Sequence, residues 1–211
     1  MASSPIVDEE MRAYYDARAE EYDEWWRDAG KWMVRPRPGW DDEVDQLIAF
    51  VAALEPVRVL DVACGTAFLT RHLRGEVTAL DQSPRMCAVA AARMPDARVV
   101  QGEAVPLPFA DGAFDRVMTG HFYGHLLPAE REAFVAESRR VAPELIVVDT
   151  GLYDQDLANE QWQTRVLNDG SEHRVYKRYF TADGLAAELG GEVLFDGTWF
   201  VAVRRKFAPV A

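Results

Sequence analysis

From residue 41 onward the chain alternates short apolar runs with longer stretches of helical period, and this alternation restricts the fold more than any other feature. The runs at 57–62, 76–81, 97–101, 114–119 and 145–149 read as strands. Helical patterns occupy 41–54, 66–74, 84–93 and 128–141. The first places Val44, Leu47, Ile48 and Val51 on one face behind the acid pair Asp41-Asp42, and the third carries Pro84 in its first turn. Strands this apolar, separated by helices, predict a parallel sheet covered on both faces through right-handed crossovers. After residue 180 the pattern changes to a helix at 182–189 and two strands, 192–195 and 199–204, joined by Asp196-Gly197, a pair suited to a tight hairpin. One strand must therefore run antiparallel. The expected architecture is a single α/β domain: a Rossmann-like doubly wound sheet of seven strands, mostly parallel, with an antiparallel C-terminal strand and helices on both faces. A chain of 211 residues suffices for one such core.

Two segments stand outside this pattern. Residues 1–40 contribute no strand but carry Tyr14, Tyr15, Tyr22, Trp25, Trp26 and Trp32, and are expected to form a helical cover on the domain built by 41–211. Residues 151–180 are the least regular stretch and gather Arg165, His173, Arg174, Lys177 and Arg178. Loops on a rigid scaffold often carry specificity, so this is a candidate substrate-facing insertion suited to an anionic acceptor; a solvated charged face is an equal reading. The aromatic cover can likewise stack on a planar acceptor or simply bury helix faces.

A formal charge of −12 repels a phosphate backbone, which favours a small-molecule partner over nucleic acid. No apolar run approaches the ~20 residues that cross a bilayer. The opening Met-Ala-Ser-Ser-Pro leads into acidic residues and lacks the form of an export leader, so a cytoplasmic location is expected. Cys64 and Cys87 have neither metal-ligand spacing nor the density of a disulfide framework. His121 and His125 would share a face on a helix, but no Glu follows the first as in H-E-x-x-H, and no metal is expected.

In an open parallel sheet, ligands bind beyond the carboxyl ends of the strands, where strand order reverses. Asp81 ends its strand about twenty residues after Asp61, a position from which a carboxylate accepts hydrogen bonds from a ribose diol. A dinucleotide would also need its pyrophosphate on the glycine turn, where Asp61 would repel it. The turn Ala63-Cys64-Gly65 with Asp61 suits a cationic group such as an amino-acid amine. A nucleoside joined to an amino acid describes S-adenosylmethionine, and a nicotinamide oxidoreductase is disfavoured.

"VLDVACGTAFL", "ALDQSP", "QGEAVPLPFADGAFDRV" and "HFYGHL", in that order, resemble the successive motifs of class I S-adenosylmethionine-dependent methyltransferases, particularly the small ones acting on quinones, lipids and natural products. "YYDARAEEYDEW" resembles that group's N-terminal cover, and "YFTADGLAAELGG" its segment before the final hairpin. The resemblance implies that the methionyl end of the cofactor lies near Asp61, Ala63 and Gly65, and that Asp81 binds the ribose. It implies that Gln82 and Met86 flank the adenine, that Glu103 and Ala104 meet its edge and face, and that His121 sits near the sulfonium. Tyr15 and Tyr22 would close over the methionine moiety. Ala67 replaces a glycine usual in the family, and is expected to weaken cofactor binding without abolishing it. The implied activity is methyl transfer to a small-molecule acceptor of anionic or aromatic character. Positioning would be the main contribution, with His121 the first and His125 the second candidate base. Rival readings of the same fold are a cyclisation or elimination without methylation, and a catalytically silent binding subunit.

Overall fold

The computed structural model describes residues 9–29, 36–154 and 156–208; Trp32 and the opening residues of the chain lie outside them. Seven strands form one sheet in the order β3-β2-β1-β4-β5-β9-β8. Strands β1 (Val57–Val62), β2 (Gly75–Asp81), β3 (Arg98–Gln101), β4 (Arg116–Gly120) and β5 (Glu144–Thr150) pair in parallel. β9 (Phe200–Lys206) runs antiparallel to β5, and β8 (Glu192–Asp196) antiparallel to β9. Strand order reverses between β1 and β4, so their carboxyl ends open a crevice.

Alternating burial fixes both faces. Leu60, Val62, Val117, Leu145 and Val147 join one core with α5 (Pro128–Val141) and α6 (Ala182–Leu189), whereas Val59, Met118, Ile146 and Val148 join the other with α3 (Trp40–Ala53). Each such side chain, withdrawn from water, contributes about 1.5–3 kcal/mol, which is why these strands read as continuous apolar runs. Local chemistry sets the helix ends. The Met86 amide donates to Ser83 Oγ ahead of α4 (Pro84–Arg93), and Gly184 N donates to Thr181 Oγ at the start of α6. Gly190, at φ +63, ends α6 in the left-handed region.

Three expectations need correction. The helix expected at 66–74 is reduced to a 3-10 turn, Thr70–His72. Ala67 lies at φ +61, which stops a right-handed helix from starting before residue 68, and Leu73 is already extended. The C-terminal hairpin does not turn on Asp196-Gly197: Asp196 pairs with Val201, and Gly197 N donates to Phe200 O, which leaves Thr198-Trp199 at the turn. The buried Glu43 carboxylate of α3 accepts the amides of Thr198, Trp199 and Phe200 instead, and Gly197 is needed because a Cβ there would overlap that carboxylate. Third, 151–180 is not irregular. It holds an antiparallel pair, β6 (Glu160–Val166) and β7 (Glu172–Arg178), that stands apart from the main sheet.

Ahead of the sheet, α1 (Glu9–Ala17) packs against α4 and β7, and α2 (Tyr22–Trp26) buries Trp26 flat against Phe68, their ring centroids 4.4 Å apart. No described helix is long and apolar enough to cross a membrane.

Candidate functional site

Two adjoining cavities lie over the carboxyl ends of the strands. The smaller, about 50 Å³, follows the rim of β1, β2 and β4 and is lined by Ala63, Gly65, Asp81, Gln82, Met86 and Ala104, with Tyr15, Tyr22, His121 and His125 closing it. The larger, about 320 Å³, lies between the covering helices and the inner face of β6–β7. Tyr15, Tyr22, His121 and His125 line both and form the wall between them.

Asp81 is almost fully buried, and its two oxygens accept from Gly65 N and Ser83 N, each at 2.9 Å. Each oxygen keeps a lone pair for a further donor. Burial pushes its carboxyl up to about 6, against the pull of those amides. Asp61 sits deeper, beside the small hollow under Tyr22, Ala63 and Gly120. Its Oδ2 accepts from Thr70 Oγ at 2.5 Å, while Oδ1 is buried and makes no hydrogen bond. Burial pushes this carboxyl up to about 7, opposed by Thr70 and reinforced by Asp81. An ammonium group is the partner such an oxygen lacks. Gln82 Oε1 is also buried without a partner and would accept from an adenine N–H. This set of hydrogen-bond acceptors therefore fits the adenosyl amino acid anticipated above.

Two of the expected residues line neither cavity: Asp61 lines only the adjoining hollow, and the Glu103 carboxylate pairs with Arg12 of α1, although Gly102 and Ala104 on either side of Glu103 line the smaller cavity. Ala67 lies outside both linings, its methyl packed with Ala79, Ala90 and Met94. Its backbone holds the left-handed conformation, φ +61, that a glycine there would adopt freely.

The two histidines do not share a helix face. His121 follows β4 at φ +58 and His125 ends the 3-10 turn Tyr123–His125, yet both rings reach the same wall. A non-glycine residue held in the left-handed region costs about 1–3 kcal/mol and marks a position that the surrounding packing enforces. His121 Nδ1 lies 3.1 Å from Thr150 Oγ, and its buried Nε2 has no hydrogen-bond partner. Burial lowers its ring to about 3, so it is neutral near pH 7. The Tyr176 carbonyl, 2.7 Å from His125 Nδ1, can only accept; Nδ1 therefore carries the proton, and Nε2 accepts from the Tyr15 hydroxyl at 2.9 Å. Burial likewise drives His125 well below its ordinary value.

Strand period sorts the basic cluster of 151–180. Gln161, Gln163 and Arg165 alternate inward on β6, and Val175 and Lys177 on β7, so that Arg165 and Lys177 line the larger cavity. Arg174 points outward, its guanidinium 4.8 Å from the Trp162 ring centroid, and Arg178 is engaged by Glu160 and Glu188. Arg18 and Arg37, which composition gave no reason to single out, also line this cavity. Among the described residues no Asp or Glu does. Lys177 is anchored from behind by the fully buried Asp149 at 2.6 Å, and Arg37 by Asp28 at 3.3 Å. No group of described side chains could hold a metal ion.

A methyltransferase-domain family model matches residues 60–144. The chain is 33% identical over 101 residues to a demethylmenaquinone methyltransferase of Thermotoga maritima, covering 46% of this chain and 43% of that protein. It is 34% identical over 107 residues to an uncharacterised methyltransferase of Synechocystis, covering 49% and 50%. These matches span half or less of the relatives' own length. Among solved structures, the DhpI–SAH complex superposes with a TM-score of 0.73 at 26% identity, over 99% of this chain and 100% of that one. A DhpI–SAM–HEP complex gives 0.72. The PH0226 protein of Pyrococcus horikoshii, at 21% identity and a TM-score of 0.60, shares the fold. Strand order, motif order and rim residues agree with the methyltransferase domain that the family model matches over residues 60–144.

Proposed function

We propose that this protein transfers the methyl group of S-adenosylmethionine to a small anionic acceptor seated in the larger cavity. The observation that carries this reading is the shared wall. On one side lie Asp81 and Gln82, with the unpaired Oδ1 of Asp61 in the adjoining hollow; on the other lie four cations and no described carboxylate, in a protein of net charge −12. Bound in the smaller cavity, the cofactor supplies a methyl carbon activated by its sulfonium. Asp81 receives the ribose hydroxyls and Asp61 the ammonium, which fixes the direction in which the methyl faces. The described residues 9–29 act as a lid through Tyr15 and Tyr22, and β6–β7 forms the acceptor's far wall through Arg165 and Lys177. Holding the acceptor oxygen in line with the methyl contributes up to ~7–11 kcal/mol to the rate. An acid already ionised needs no general base. The neutral His121 and His125 then orient the acceptor and exclude water; where an acceptor carries a proton, His121 Nε2 is placed to take it.

The test is incubation of the purified chain with S-adenosylmethionine and a panel of small carboxylates, phosphates and uncharged quinols, followed by mass analysis. Release of S-adenosylhomocysteine with one methyl gained by an acid is the expected result. Turnover of quinols alone would replace this acceptor class with the one named for the Thermotoga relative.

A further inference from the structure

The covering segment does more than shut the cofactor in, because it also lends a cation, Arg18, to the other cavity. Arg18 follows α1 in the turn where its amide bonds back to Tyr14 O at 3.0 Å, and its side chain is almost wholly buried. Its guanidinium donates to the Tyr14 hydroxyl at 3.0 Å and lies 4.7 Å from the Tyr22 ring centroid. The Tyr22 ring, in turn, rests on the glycine turn of the cofactor cavity, 3.5 Å from where a Cβ on Gly65 would stand. Arg18 thus reaches the acceptor cavity beside Lys177 and Arg165 with Tyr22 seated over Gly65.

Polar anchors tie the segment to both halves of the site. Asp23 pairs with Arg93 at 2.6 Å and accepts from Thr66 Oγ, and Asp16 accepts from Ser83 Oγ at 2.7 Å, all on the cofactor side. Toward the β6–β7 hairpin, Glu21 accepts from Asn168 N at 2.8 Å and Glu10 from Arg174 N at 3.1 Å. A segment fastened in this way closes as a unit, so a molecule that must pass beneath Tyr15 and Tyr22 to reach Asp81 carries Arg18 with it when they settle.

We propose that Arg18 is a specificity-determining residue for the acid acceptor, delivered by closure over the cofactor, so that the acceptor seat is complete only after the cofactor is in place. Binding is then ordered, cofactor first. This rests on the reading in the preceding subsection. By linkage each ligand must tighten the other by the same factor, and the planar guanidinium stacked on Tyr22 is suited both to the ring face and to an oxyanion's paired oxygens.

Inorganic phosphate serves as the acid probe and S-adenosylhomocysteine as the cofactor probe. Titrations of the full chain are followed by calorimetry and by the fluorescence of Trp25, Trp40 and Trp199, which line the cavity. The wild type is expected to bind phosphate at least tenfold more tightly when S-adenosylhomocysteine is present. Arg18→Met should bring that ratio close to one, with S-adenosylhomocysteine affinity in the absence of phosphate changed less than threefold. Arg18→Lys, which keeps the charge but not the planar fork, should retain a ratio of roughly two to five. A wild-type ratio of one, or an unaltered ratio in Arg18→Met, overturns the proposal; the wild-type measurement holds whether or not the variants fold. If the chain binds S-adenosylhomocysteine and phosphate independently, only this inference fails. If it binds neither, the function proposed above fails with it.

Discussion

Replacing Asp61 by Asn should make the protein more stable and worse at its work. In the unfolded chain this carboxyl ionises near 3.8, whereas in the fold burial pushes it up to about 7. Between those values the folded state holds a proton that the unfolded state has released, so stability falls as pH rises through that window and levels off above about 7. The loss for one such group is of the order of 4 kcal/mol at pH 8. Asn carries no charge to desolvate and keeps an oxygen for the Thr70 hydroxyl, so Asp61→Asn should recover a few kcal/mol at pH 8 and little at pH 4. The same change removes the anion facing the cofactor's ammonium. A hydrogen bond to a charged group contributes about 1.5–3 kcal/mol, or roughly ten- to a hundredfold in affinity. Urea denaturation at pH 4, 6 and 8, with calorimetric titration of S-adenosylhomocysteine at pH 8, reads both quantities. A variant less stable than wild type at pH 8 would show that the carboxylate is already compensated. Unchanged affinity would show that Asp61 does not meet the ammonium.

Glu43→Ala strips the acceptor from three hairpin amides and should cost about 3 kcal/mol, a fall in Tm of roughly 6–12 °C, with Glu43→Gln milder; a change below 2 °C would show that water replaces the carboxylate. Arg165→Met should raise KM for an acid acceptor roughly ten- to a hundredfold and leave cofactor affinity within threefold, and equal losses in both would deny it a place in acceptor recognition. Ala67→Gly relieves a left-handed alanine but removes a buried methyl, so both Tm and S-adenosylhomocysteine affinity should stay close to wild type; clear tightening would restore this alanine's influence on the cofactor. His121→Gln should lower kcat by less than about a hundredfold, the lower end of general-base contributions, and a greater loss would make this ring the base.

The sheet was legible because its central strands, β1, β4 and β5, are buried on both faces, and a doubly buried strand is apolar whatever its neighbours are. The cofactor rim was legible for a related reason: Asp61 and Asp81 stand near the ends of two successive parallel strands and Gly65 in the turn after the first, positions that local pattern marks. The hairpin at 160–178 escaped notice because its inner face lines a cavity. Gln161, Gln163 and Arg165 point inward where a core strand would carry Val or Ile, so period-two hydrophobicity, the usual sign of a strand, is absent. Glu43 escaped for a different reason. It reads as one acid among several at a helix start, and only the fold brings α3 against a turn 155 residues away.

Sequence by itself determined the order of elements, the two-faced core and the acids at the strand ends, since each follows from burial period or from chemistry within a few residues. Tertiary structure alone decided which of the basic residues face a ligand, which way Glu103 turns, and that Arg18 joins Lys177 across one cavity. Those outcomes depend on contacts between segments up to 160 residues apart, and no local pattern of hydrophobicity or charge records which surfaces the folded chain will press together.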